Sequence, residues 1–141
     1  MDIEEIYTFL VEEEAIKRSS LHPDSDLVKD LSIEGDDLSE TIELFAEKFG
    51  VEMSEYRWYF HHREEGWNFG ALFFKPPYAQ VDRINVTPNI LLAAASTKIW
   101  PISYPAHQMG EGRPDLMCNN IIIGGLGLIG LLLWVSEKFG T

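Results

Sequence analysis

The chain has 141 residues, 45% of them hydrophobic, which suits a single domain whose core needs no covalent staple. Its one cysteine, Cys118, excludes an intramolecular disulfide. The net charge of −12 is uneven: residues 1–65 hold 19 acidic and 6 basic side chains and the remainder is nearly balanced, and the missing basic footprint excludes a nucleic-acid binder.

Such an acidic half is either a solvated surface or a face that steers a basic partner towards it. The acidic stretch Met1 to Leu10 lacks the basic start of a signal peptide, so the expected location is cytoplasmic. A first helix is predicted over residues 2–18, with Ile3, Ile6, Tyr7 and Leu10 on one face. Residues 19–25 break it, and Leu27, Val28 and Leu31 anchor a short turn or helix.

The second helix is predicted over residues 37–49. Asp36 or Asp37 is its N-cap, and Glu40 lies at capping-box spacing from Asp37. Leu38, Ile42, Phe45 and Phe49 recur at i, i+4, i+7 and i+11 on the buried side, while Glu40, Glu43 and Glu47 line the opposite side. Gly50 is placed to end the helix. Ser54 is placed to cap a short third helix holding Tyr56, Tyr59 and Phe60.

Residues 66–81 bring Trp67, Phe69, Phe73, Phe74, Pro76, Pro77 and Tyr78 together, which predicts an ordered loop or short strands. Thr87 at N-cap and Pro88 at N1 open a further helix to about Lys98, packing through Ile90, Leu91 and Ala94. The Pro- and Gly-rich stretch after residue 100 reads as a linker. The expected division is a helical domain over 1–104, a linker over 105–120 and a hydrophobic tail over 121–135.

Ile121 to Val135 contains no polar side chain. As a helix it is about 22 Å long, short of the roughly 30 Å bilayer core. Asn119, Asn120 and Ser136 suit its interfaces, and Trp134 suits an aromatic belt. The tail is either a membrane anchor or a buried helix or strand pair. Its glycines contain no GxxxG pair, and Arg113 and Lys138 are too few to orient it.

No constellation for catalysis or metal binding emerges. His61 and His62 are neighbours whose side chains diverge, so they read as an exposed polar turn. A calcium loop begun at Asp24 puts Val28 at position five and Lys29 at position six. Cys118 and His107 form the one nucleophile–base pair worth naming, without an orienting third member. The Gly-rich run from Gly124 is followed by no Lys-Ser or Lys-Thr, so it is not a phosphate loop. The expectation is a non-enzyme without cofactor or metal.

A capped acidic helix after a Gly-containing loop resembles the helix that acyl carrier proteins present to partner enzymes. Carriers begin it with Asp-Ser-Leu, the Ser bearing phosphopantetheine, whereas this chain reads Glu34-Gly35-Asp36-Asp37-Leu38. With Phe49 matched to the Phe closing the carrier helix, Gly35 falls on the Ser and offers no hydroxyl. Asp30-Leu31, Gly35-Asp36-Asp37, Glu40 to Phe49, Tyr59-Phe60 and Thr87-Pro88 through Ala93-Ala94 to Trp100 resemble a small bacterial family, domain of unknown function 1493. The resemblance covers about residues 1–104. It implies a mainly α, small acyl-carrier-like bundle without an attached cofactor, here with an irregular aromatic-rich segment and a hydrophobic tail.

Three functions follow as expectations. The first is an acidic protein-binding module docking a basic surface through Asp36, Asp37, Glu40, Glu43 and Glu47. The second is an immunity-type inhibitor of a cognate toxin, with Trp67, Phe69 and Tyr78 as aromatic anchors. The third is an adaptor attached to the inner membrane by residues 121–135.

Overall fold

The first helix, α1 (Ile3–Glu14), starts where the Asp2 amide donates to Glu5 Oε1 at 2.9 Å, and stops where Ala15 turns left-handed at φ 50°. It is shorter than the expected 2–18 because that left-handed turn breaks the amide ladder before Arg18. In the computed structural model, which describes residues 1–140, α2 covers Gly35–Phe49, α3 Pro88–Thr97 and α4 Pro114–Phe139, with short 3₁₀ turns between them and no strand among the described residues. The protein is mainly helical, with an apolar helix at its C-terminal end.

These elements divide into two units: residues 1–65 with 81–107, and residues 66–80 with those from 108 onward. In the first unit, α1 packs on α2 and α3. Ile6, Phe9 and Leu10 of α1, Leu38 and Phe45 of α2, and Leu91, Ala94 and Ala95 of α3 are completely shielded from water. Phe9 meets Phe45 and Phe49 edge-on, with centroids 5.9 and 5.7 Å apart. Each such pair adds about 0.5–1.5 kcal/mol beyond area burial. Thr41 is buried in the same face, where its hydroxyl lies 2.8 Å from the Asp37 carbonyl and also meets the Glu14 carboxylate.

The long connection between α1 and α2 is held by its polar groups. Asp26 accepts from the Val28 amide at 3.0 Å and pairs with Arg83. Burial works to raise the Asp26 carboxyl, but Arg83 and the Val28 and Lys29 amides outweigh it and hold the group below the ordinary carboxylate range. Leu27 N–H donates to the Val86 carbonyl at 3.0 Å, tying the connection to the segment before α3.

Two expectations about caps differ in outcome. Thr87 does cap α3, accepting from the Ile90 amide at 3.4 Å, with Pro88 at N1. For α2 the N-cap is Glu34, not Asp36 or Asp37, because the Glu34 carbonyl already accepts the first intrahelical bond, from the Leu38 amide at 3.2 Å. Asp36 and Asp37 therefore lie in the first turn, where their charge complements the helix dipole. Gly50 ends α2 in the left-handed region at φ 61°, as its position predicts.

The expected third helix after Ser54 is a single 3₁₀ turn, Trp58–Phe60. Aromatic side chains crowd this segment, and they are spent on a cluster around His61 rather than on one helix face.

In the second unit, the aromatic-rich segment forms two 3₁₀ turns, Phe69–Leu72 and Pro77–Ala79. The first packs on α4. The expected linker over 105–120 is cut short because Pro114 acts as the N1 residue of α4 rather than as a breaker. Asn119 and Asn120 are helical, and Asn119 Oδ1 accepts from the Phe69 amide at 2.8 Å.

Candidate functional site

On α2 the spacing of Asp36, Glu40, Glu43 and Glu47, at i, i+4, i+7 and i+11, puts four carboxylates in one stripe, with Asp37 beside it. All five are exposed, and among the described residues none has an ion-pair partner. Neighbouring acids behave differently: Glu12 pairs with Lys48 at 3.3 Å and Glu4 with Arg18. The one basic residue in the last turn of α2 is thus turned to α1 and leaves the stripe uncompensated.

Beside the stripe lies an open groove of about 380 Å³ lined by Ser39, Ile42, Glu43, Ala46, Met53, Tyr56 and Trp58. Apolar walls edged by carboxylates are the surface pattern of an interface centre with a charged rim. Ser39, a hydroxyl near the start of α2, is half-buried in this groove. Gly35 is buried, and a Cβ there would collide with the Glu65 side chain.

His61 and His62 do not form an exposed turn. His61 is fully buried and His62 nearly so. His61 Nδ1 lies 2.9 Å from the Ile84 carbonyl, so Nδ1 carries the proton and donates. Its Nε2 then accepts from the Tyr104 hydroxyl at 2.7 Å, while that oxygen accepts from Trp100 Nε1–H at 2.9 Å and the Arg57 amide at 3.2 Å. Burial, with the hydrogen bond to Ile84 working against it, pushes His61 down to about 4. Both ring nitrogens are committed to this network, which is structural. His62 Nε2 and the Tyr56 hydroxyl are buried without a hydrogen-bond partner.

The aromatic residues singled out from sequence belong to the second unit. Trp67 is 81% exposed, and Phe69 is exposed while Tyr78 is half-buried. Sequence reasoning passed over Leu72, which is 82% exposed beside them. The tail is one long helix whose apolar side chains face outward: only 6% of its most hydrophobic 18-residue window, of mean hydropathy 2.0, is buried. The strand-pair alternative is overturned, since these residues form one helix. A helix of this length and composition is able to span or attach to a membrane.

The model of the family of proteins of unknown function DUF1493 matches residues 2–97. The chain belongs to the DUF1493 family. The DUF1493 region contains α1, α2 and α3, and therefore the carboxylate stripe and its groove, and it stops before α4. No curated protein and no solved structure matches the chain.

Proposed function

We propose that the protein is a non-catalytic, cytoplasmic protein-binding module of acyl-carrier-like fold, without a prosthetic group and held at a membrane by α4. The stripe of Asp36, Glu40, Glu43 and Glu47 carries the reading. Four carboxylates concentrated on one helix face, with no cation of the fold set against them, repel one another and cost stability. A basic partner surface would relieve that repulsion and be steered to the apolar groove beside it.

The absence of a prosthetic group is supported by Gly35, which has no nucleophile at the start of α2. Attachment of the module to a membrane is supported by α4, which at 26 residues is about 39 Å long against a bilayer core of roughly 30 Å. The immunity-type reading sets the acidic surface against a basic toxin and uses Trp67, Phe69 and Tyr78 as its aromatic anchors.

A photo-crosslinking residue at Glu43, compared with one at the exposed Ser96 on α3, tests the reading in the native cell. A discrete adduct at Glu43, weakened by salt and absent at Ser96, is the expected result. Equal labelling from both positions would overturn the docking face. An intact mass heavier by one phosphopantetheine would overturn the cofactor-free part.

A further inference from the structure

The apolar run of α4 is too short on its own. From Ile121 to Val135 it rises about 22 Å, and Asn119 and Asp115 precede it on the same helix. Both polar residues are nonetheless hidden, Asp115 at 1% exposure and Asn119 at 6%. What hides them is the 3₁₀ turn Phe69–Leu72. Asn68 Nδ2 donates to Asp115 Oδ2 at 2.8 Å, Arg113 donates to the same carboxylate at 2.7 Å, and the Phe69 amide donates to Asn119 Oδ1. Gly70 lies so close to the helix that a Cβ would overlap the Asp115 carbonyl oxygen.

The turn thus consumes the polar groups of the first two turns of α4 and presents apolar ones instead. Trp67, Leu72 and Phe73 are 81%, 82% and 70% exposed, and Leu116 and Met117 face outward on the helix. With Asp115 and Asn119 masked, the lipid-compatible length extends from Leu116 to Val135, with Asn120 its one exposed polar side chain. Those 20 residues rise about 30 Å, the thickness of the hydrocarbon core. At the other end, Lys138 stacks on Trp134 with its Nζ 4.8 Å from the ring centroid, the arrangement of an interfacial anchor.

We propose that residues 66–80 are a membrane-interface wedge: docked through Gly70 on the first turns of α4, they mask its polar start and bury Trp67, Leu72 and Phe73 at the headgroup–acyl boundary of a lipid bilayer. Unsatisfied polar groups are costly in hydrocarbon, and the internal hydrogen bonds to Asp115 and Asn119 remove that cost. Trp and Phe at this level are the side chains that interfaces favour. The inference rests on the membrane reading of α4.

The test reconstitutes the full chain into phosphatidylcholine vesicles whose acyl chains are brominated either near the carbonyl end or deep in the chain. Wild type is compared with Trp67→Phe and Trp134→Phe, so that each difference isolates one indole. Loss of the Trp67 emission mainly with the shallow bromine is the expected result, and Gly70→Val, which cannot dock the turn, should abolish that loss while leaving Trp134 quenched. Quenching of Trp134 without quenching of Trp67 would overturn the wedge and leave the membrane helix standing, freeing the aromatic turn for a protein partner. Quenching of neither would overturn both.

Discussion

His61 and Tyr104 share a 2.7 Å hydrogen bond in which the tyrosine must donate, because His61 Nδ1–H is already spent on the Ile84 carbonyl. The Tyr104 oxygen also accepts two N–H groups, from Trp100 and Arg57. A second proton on the imidazole has no acceptor in this network, so it must break the bond to Tyr104. Burial and this donor count act in the same direction.

The stability of the first unit should therefore fall on acidification. The unfolded imidazole takes a proton near pH 6.5, while the native one resists to about 4. Between those values the unfolded state binds more protons, so stability drops as pH falls, by up to about 3 kcal/mol. Asp26, held low in the native state, adds a further loss below its unfolded value near 3.8. Urea midpoints between pH 7 and about pH 3 check this, and His61→Phe should flatten the upper part of the curve. A midpoint independent of pH in wild type would contradict the assigned network.

Phe45 is fully buried and meets both Phe9 and Phe49. Phe45→Ala should cost about 3–5 kcal/mol, from lost transfer energy and the cavity left behind. Chemical denaturation reads this directly, and a loss under about 1 kcal/mol would mean that α1 and α2 do not close on this ring.

Gly50 ends α2 at φ 61°, with nothing near the place of its missing Cβ. Gly50→Ala should then cost about 1 kcal/mol from backbone strain alone. Thermal unfolding of the variant checks it, since no packing change accompanies the substitution.

Removal of α4 should move the protein from the membrane fraction to the soluble fraction. The apolar run of this helix is exposed, and only its first turns are packed, against the Phe69–Leu72 turn of its own unit. Fractionation of cells expressing residues 1–107 reads the outcome. Aggregation of the truncated chain would mean that α4 is needed for folding rather than for location alone.

Much of the first unit is legible in the sequence because its signals are local. The apolar spacing of Leu38, Ile42 and Phe45 and the Thr87-Pro88 cap each fix an element within a few residues. His61 is illegible that way, since its partners Ile84 and Tyr104 lie 23 and 43 residues further on. Pro114 misled for a related reason: proline marks a helix start as readily as a linker, and the Phe69 turn that steadies the first turns of α4 lies far back in the chain. The carboxylate stripe was visible from spacing, but its lack of ion-pair partners depends on where Lys48 points. The groove beside it required Met53 and Trp58 to fold back on α2.

The docking role of α2 is tested most directly by co-purification of the tagged full-length protein from its native cells in mild detergent. Wild type is compared with the triple variant Glu40→Lys, Glu43→Lys and Glu47→Lys, at low and high salt. These side chains are exposed and unpaired, so the variant should fold as wild type does, which circular dichroism checks. The account predicts a stoichiometric partner with a basic surface, retained by wild type at low salt, lost at high salt and lost from the variant, with association slowed by one to three orders of magnitude. Equal recovery of the same partner by both proteins would contradict it.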